Sequence, residues 1–277
     1  MYWFLLKPRW ILSHIFIIVV VVTMVNLGFW QLVRLDERKT QNAEVTAAMR
    51  EPEVPITSLL SDGTASTPDQ IDAATYRAVF LSGTYRVDEQ VLINNRTNDG
   101  APGFWVVTPL VLSDGTAVAI NRGWIPFTYT ADGPWGDFAP PEGTVSVRGL
   151  IRPSQVRETD GLVASPKDAA TGTLRALARV DVGRLSQQSA EQLWPVYINL
   201  DAQDPPFGVL PVPTPPPELS EGTHLGYALQ WFAFSLLTII VYPLLLRRHA
   251  RRLMEGTAEE IGDVVEVVEV EATEINV

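Results

Sequence analysis

Along the 277-residue chain, apolar residues collect in two long blocks and alternate with polar ones in much of the stretch between them. No Asp, Glu, Lys or Arg occurs between Arg9 and Arg34, and none between Glu221 and Arg247. A helix crossing a hydrocarbon layer of roughly 30 Å needs about 20 such residues at ~1.5 Å rise each, which predicts transmembrane helices over residues 10–33 and 224–246. A cleavable signal peptide has an apolar core of about 7–15 residues and then a small-residue cleavage site. Here the run is longer and leads into charged Arg34-Leu35-Asp36-Glu37-Arg38-Lys39, so the first block reads as a retained anchor.

The segment between the blocks, residues 34–223, changes period. Residues 36–50, rich in Glu, Lys, Gln and Ala, extend the first helix until Pro52 and Pro55 stop it. Residues 58–72 form a polar loop. Strand patterns follow at residues 76–81, 90–94, 104–112, 116–121, 145–151 and 196–200, with Ser113-Asp114-Gly115 as a hairpin turn between the third and fourth. One helix is predicted over residues 181–193, capped by Asp181 and stopped by Pro195. Together these give a β-rich, antiparallel domain with minor helices between two transmembrane helices. Residues 204–217 hold seven prolines and read as a stiff extended linker. Residues 247–277 form a basic stop followed by an acidic tail, which reads as solvated and disordered although its Val-Glu alternation also suits a strand with a partner.

Charge orients this arrangement. Lys7 and Arg9 precede the first block, and Arg247, Arg248, Arg251 and Arg252 follow the second. Basic residues stay on the cytoplasmic side, so residues 1–9 and the tail are expected in the cytoplasm and the β-rich domain outside it. A net charge of −11 argues against nucleic acid as a partner. The lipid bilayer is the partner the pattern does demand.

The absence of cysteine removes disulfides, thiolate metal sites and cysteine nucleophiles, and the three histidines are His14, His224 and His249. The β-rich domain therefore has neither a Ser-His-Asp triad nor a histidine metal site, and no phosphate-cradling loop occurs in it, so no enzyme is expected. His224 opens the second span, with Tyr227 and Trp231 along one helical stripe and Gln230 beside them. An imidazole there either ligates a haem iron or sits in an interfacial aromatic belt, and the residues by themselves favour the belt. Trp30, Gln31 and Arg34 reach the same level on the first span, where Gly28 allows close approach and a shared polar site is possible. His14 lies towards the opposite end and cannot share a haem with His224. In the β-rich domain, Asn121-Arg122-Gly123-Trp124 is expected to close a strand as a tight turn anchored by Trp124, with a partner-binding surface as the other reading. Asn94-Asn95-Arg96 is expected to end its strand in a similar way.

These residues also carry a resemblance. Gly28-Phe29-Trp30-Gln31-Leu32-Val33-Arg34-Leu35, Asn121-Arg122-Gly123-Trp124-Ile125-Pro126 and His224-Leu225-Gly226-Tyr227-Ala228-Leu229-Gln230-Trp231-Phe232, in that order, resemble the Surfeit locus protein 1 family of cytochrome c oxidase assembly factors. The likeness covers roughly residues 10–247 and leaves the acidic tail outside. It implies a non-enzymatic helper in the biogenesis of an aa3-type haem-copper oxidase, either assisting haem a insertion or stabilising the catalytic subunit, and working with that subunit and other assembly factors. For haem a, which some bacterial members of that family are held to bind, it implies the histidine opening the second span, here His224, with Tyr227, Gln230 and Trp231 as neighbours. The residues themselves offer Trp30, Gln31, Arg34 and the Asn121–Trp124 motif as partner contacts. The lack of a mitochondrial-type presequence points to a bacterial plasma membrane. The competing reading is an anchored scaffold or sensor for another envelope complex, without haem.

Overall fold

The computed structural model describes residues 3–155, 157, 166–206 and 208–274, and the chain divides into two compact units, Met1–Asn42 with Leu219–Val277 and Ala43–Glu218.

The first unit is built on two long helices, α1 (Pro8–Arg50) and α5 (His224–Glu274). Both contain stretches long and apolar enough to cross a membrane, and only 6% of each apolar window is buried. Ile15, Phe16, Ile18 and Val19 of α1 and Leu236, Leu237, Ile239 and Ile240 of α5 are exposed. A core helix of a water-soluble protein would hide such residues; here the apolar surface faces outward, as lipid contact requires. α1 continues past its apolar stretch and ends at Arg50, ahead of Pro52. α5 departs from expectation: the backbone stays helical through Glu274 instead of becoming an irregular tail or a strand. A helix already nucleated by the apolar stretch adds each further residue cheaply, and the Glu- and Ala-containing tail prolongs it despite its alternating Val.

The second unit is a closed ring of strands with short additions. After β1 (Val54–Pro55), α2 (Ile56–Leu59) and α3 (Pro68–Ala74) come β2 (Ala78–Tyr85), β3 (Val91–Asn98), β4 (Ala101–Val111), β5 (Ala117–Pro126) and β6 (Thr144–Pro153). Then follow β7 (Ala176–Leu177), α4 (Val182–Ser186) and β8 (Leu193–Asp204). The sheet order is β1-β2-β6-β8-β5-β4-β3-β7, and β2 also pairs with β4, which closes β2-β6-β8-β5-β4 on itself. The sheet is mixed and not antiparallel: β5 with β8, β1 with β2 and β3 with β7 run parallel. Hairpin signals disclose neighbours in sequence, whereas β5 and β8 are joined by a long crossover that leaves no local mark.

The interior of the ring is filled from all five strands, by Val79, Leu81, Leu110, Val118, Ile120, Val145, Val147, Val196 and Ile198, each at most 5% exposed. Alternation places these residues inward; on β2 buried and exposed positions alternate from Val79 to Tyr85. A second cluster, with Val91, Ile93, Val107 and Tyr197, is covered by Leu177, Val180, Val182 and Leu185. Three local expectations change. The 58–72 loop contains α3, capped by Thr67 and Gln70 in a reciprocal box. The 181–193 helix is confined to α4: Asp181 does cap it, but Leu193 already belongs to β8. The proline-rich stretch is no free tether, because Val212 exchanges two backbone hydrogen bonds with Trp124, of 2.6 and 2.8 Å.

Candidate functional site

Within the helical unit, the C-terminal end of the first apolar stretch and the start of α5 carry the polar residues of interest. Gly28 fits against the Phe232 ring so closely that a Cβ at Gly28 would lie 2.6 Å from a ring carbon. Phe29 meets the same ring edge-on, with centroids 5.4 Å apart. One turn beyond Gly28, His224 Nδ1 donates to the Gln31 carbonyl oxygen at 2.8 Å. With an amide oxygen as acceptor, Nδ1 must carry the proton, and the lone pair of a neutral ring is then on Nε2. This is how protein structures orient an imidazole for coordination: one nitrogen is anchored and the other is left available. Gly222, at φ 71°, carries no side chain on the Nε2 side of the ring. The residues present thus fit a nitrogen donor that would hold a haem iron.

The other named residues do not all converge. Trp231 is half-buried, while Tyr227 and Gln230 are exposed, and so is Trp30. Arg34 pairs with Glu37 at 2.5 Å, an exposed i,i+3 ion pair. Farther along, Asn42 donates to the Leu219 carbonyl at 3.0 Å and Lys39 lies 3.6 Å from Glu221. At the opposite end His14 Nδ1 hydrogen-bonds Tyr242 at 2.6 Å, and Ser13 meets the same hydroxyl at 2.9 Å. His14 and Gln31 stand 17 residues apart on α1, roughly 25 Å of helical rise. The two histidine positions are separate sites.

In the β unit, Asn121-Arg122-Gly123-Trp124 lies within β5, which runs on to Pro126; it is not a turn, and Asn94-Asn95-Arg96 likewise lies within β3. The turn-like residues instead make irregularities in continuous strands. Gly123 adopts φ 129° opposite a register shift at Val106/Val107, and Asn95 adopts φ 57° at a shift between Ile93 and Arg96. Asn121 and Arg122 have no exposure and Trp124 has 9%, so the motif works inside the domain. Asn121 donates to Asn199 across the parallel pair at 2.9 Å, and Trp124 Nε1 donates to the Arg96 carbonyl at 3.2 Å.

Arg122 is the unusual member. Its Nη1 donates to Gln90 Oε1 at 3.0 Å, Thr108 donates to that oxygen at 2.9 Å, and the guanidinium carbon lies 5.5 Å from the centre of the Tyr85 ring. Among the described residues no carboxylate pairs with it, and its Nε and Nη2 have no hydrogen-bond partner. Burial lowers the Arg122 pKa to about 10, and burial also raises the Tyr85 hydroxyl above its ordinary value, against the pull of Arg122. Sequence reading named Arg122 but not Gln90, Tyr85, Thr108 or Gln203, whose side chain accepts from Tyr85 at 2.9 Å. These residues are scattered along the chain with no shared spacing to reveal them.

A family model described as the SURF1 family matches residues 18–236. An uncharacterized SURF1-like protein of Mycobacterium tuberculosis is 27% identical over 239 residues, covering 86% of this chain and 83% of that protein. A SURF1-like protein of Dictyostelium discoideum is 33% identical over 100 residues, 36% of this chain and 37% of its own. The cytochrome oxidase assembly protein SHY1 of Saccharomyces cerevisiae is 30% identical over 100 residues, 36% of this chain and 24% of its own.

Proposed function

The chain belongs to the SURF1 family, and from that premise we propose that it is a membrane-anchored, non-enzymatic assembly factor for an aa3-type cytochrome c oxidase, acting with the oxidase catalytic subunit. The name of the yeast relative supports the assembly role. The two apolar helices support anchoring, and the arginines after the second apolar stretch support a plasma-membrane topology with both termini in the cytoplasm.

The finer reading is that haem a is handled at His224 during insertion into the oxidase. The observation that carries it is the 2.8 Å hydrogen bond from His224 Nδ1 to Gln31, which leaves Nε2 available. Haem a bound at such a site would supply an iron, and the neutral imidazole of His224 would be the residue to hold it. Gln31 holds the ring in the required tautomer, Gly28 and Phe232 keep the helices close, and half-buried Trp231 lies about two turns farther along α5.

Gene deletion followed by complementation tests both levels. Deletion is expected to lower the aa3 absorption of membranes while sparing haem b, and the tagged protein is expected to co-purify with oxidase subunits. Unchanged aa3 content together with a different co-purifying envelope complex refutes the assembly role and favours the scaffold reading. If His224→Ala restores aa3 fully and the purified protein shows no haem absorption, the assembly role survives and the haem reading falls.

A further inference from the structure

Away from the Arg122 network, the β unit has a polar cavity of about 600 Å³ lined by β3, β6, β8 and the segment before α4. Three guanidinium-bearing residues line it: Arg96, Arg152 and Arg179. Arg96 and Arg152 are held by contacts that fix their positions without neutralising them, and Arg179 is paired with a carboxylate. Arg96 stacks on Trp105, 4.4 Å from the ring centre, and its Nη2 donates to Gln155 at 3.1 Å. Arg152 stacks on Tyr76 at 4.3 Å. Arg179 donates to the Pro166 carbonyl and stands 3.8 Å from Asp168, the one carboxylate the described residues bring to this group. Arg96 Nε and Arg152 Nε are buried without a hydrogen-bond partner among the described residues.

Aromatic faces attract a cation without cancelling its charge, so three positive groups share one cavity against a single acid. The arrangement costs self-repulsion, and the chain as a whole carries a net charge of −11. Burial lowers the Arg96 pKa, with Tyr197 opposing the shift and Arg179 adding to it, and burial raises the Tyr197 hydroxyl against the pull of Arg152, Gln155 and Arg96. Tyr197 is 2% exposed and its hydroxyl accepts from Gln155 at 3.2 Å, leaving its own proton to donate. The bulge at Asn94-Asn95 re-aims β3 just before Arg96. Guanidinium forks match the paired oxygens of carboxylates and phosphates, and fixing them beforehand lowers the entropy lost on binding. The volume lies within the range of small-molecule sites.

We propose that this cavity is a binding site for a small oxyanion bearing more than one carboxylate or phosphate group, held by Arg96, Arg152 and Arg179. The site is independent of the assembly role and of His224. The shared chemistry admits two sources, a soluble metabolite-sized anion or the phosphate of an anionic lipid headgroup.

The test is isothermal titration of the full-length protein in a neutral detergent with citrate and with inorganic phosphate, ionic strength being fixed by sodium chloride. Wild type is expected to bind citrate saturably at one site, with phosphate weaker. Arg152→Gln and Arg179→Gln are each expected to weaken citrate at least tenfold. Arg148→Gln, also on β6 but paired with Glu53 outside the cavity, is expected to leave it unchanged. Tryptophan-monitored melting confirms that each variant is folded. No saturable binding by wild type, or equal affinity in Arg152→Gln and Arg179→Gln, overturns the proposal. Repeating the wild-type titration in nanodiscs of phosphatidylcholine and of phosphatidylglycerol separates the sources. Citrate weakened only by phosphatidylglycerol assigns the site to the headgroup; equal affinity assigns it to a soluble anion.

Discussion

Replacing Arg122 by Met should make the β domain more stable, against the usual result of altering a buried, hydrogen-bonded residue. Arg122 is fully buried, and burial lowers its pKa from the ordinary arginine range to about 10. At ~1.36 kcal/mol per pH unit, that gap means the charged side chain costs the folded state roughly 3 kcal/mol below pH 10. Met has similar length, carries no charge and forgoes the hydrogen bond to Gln90, a loss of about 1–1.5 kcal/mol. The expected net gain is about 1.5–2 kcal/mol at pH 8, on the order of 3–8 °C in melting temperature for a domain of this size. The gain then shrinks as pH rises. A cation whose folded pKa is depressed leaves the unfolded chain holding more protons from about pH 10 up to the ordinary arginine range, so wild-type stability rises through that window. By pH 11 wild type should recover roughly 1 kcal/mol and most of the advantage of Met should be gone. Tyr85 opposes this trend, because burial raises its hydroxyl and the unfolded chain ionises first, so the pair is best compared in a Tyr85→Phe background as well. The assay is urea unfolding of the full chain in detergent, followed by tryptophan fluorescence at pH 8 and pH 11. If Arg122→Met lowers stability by more than about 2 kcal/mol at pH 8, the charge is compensated and the argument fails.

Three further outcomes follow from the same geometry. Gly123→Ala places a Cβ 2.2 Å from the Val212 carbonyl oxygen at φ 129°, and should cost roughly 2–3 kcal/mol, read as a lower urea midpoint at unchanged slope. Gly28→Val forces the Phe232 ring aside and should cost the helical unit about 1–3 kcal/mol, measured as faster cleavage or lower melting in detergent; unchanged behaviour would show that the ring has room to yield. Gln31→Leu removes the acceptor for His224 Nδ1 while leaving Gly28 and Phe232 in place, and should lower haem retention and aa3 recovery towards the level of His224→Ala. Wild-type haem retention in Gln31→Leu would remove Gln31 from the site.

What could be read from the sequence was whatever the chain settles locally. The Ser113-Asp114-Gly115 turn forms because Asp114 accepts from Thr116, two residues on, and the Leu112–Thr116 backbone bond closes the hairpin. The helices at either end follow from uninterrupted apolar runs, and the common level of Gln31 and His224 follows from span geometry. Their hydrogen bond does not, since only packing at Gly28 sets the approach. Arg34 offers a local lesson: Glu37 lies within its own helical turn and outcompetes a partner on another helix. Asn-Arg-Gly was misread because a positive-φ glycine marks a turn in isolation, yet here β4 and Val212 hold both flanks of Gly123 in register. The parallel pairing of β5 and β8, and the guanidinium cluster of Arg96, Arg152 and Arg179, join residues far apart in sequence and leave no periodic trace.

The ring of strands has an uneven circumference. β2 and β6 are paired from Ala78–Leu150 to Thr84–Thr144, while β2 meets β4 only at Thr84–Val111 and Tyr85–Leu110. Like a hoop fastened by a single narrow clasp, the barrel can open there by giving up few backbone bonds, without disturbing its longer borders. Such gaping would admit water first to Tyr85 and Leu110, and through Tyr85 to the enclosed Arg122 charge. Amide protons at this clasp should therefore trade with solvent sooner than those of β5 and β8, and the buried cation would be rehydrated before the domain comes apart.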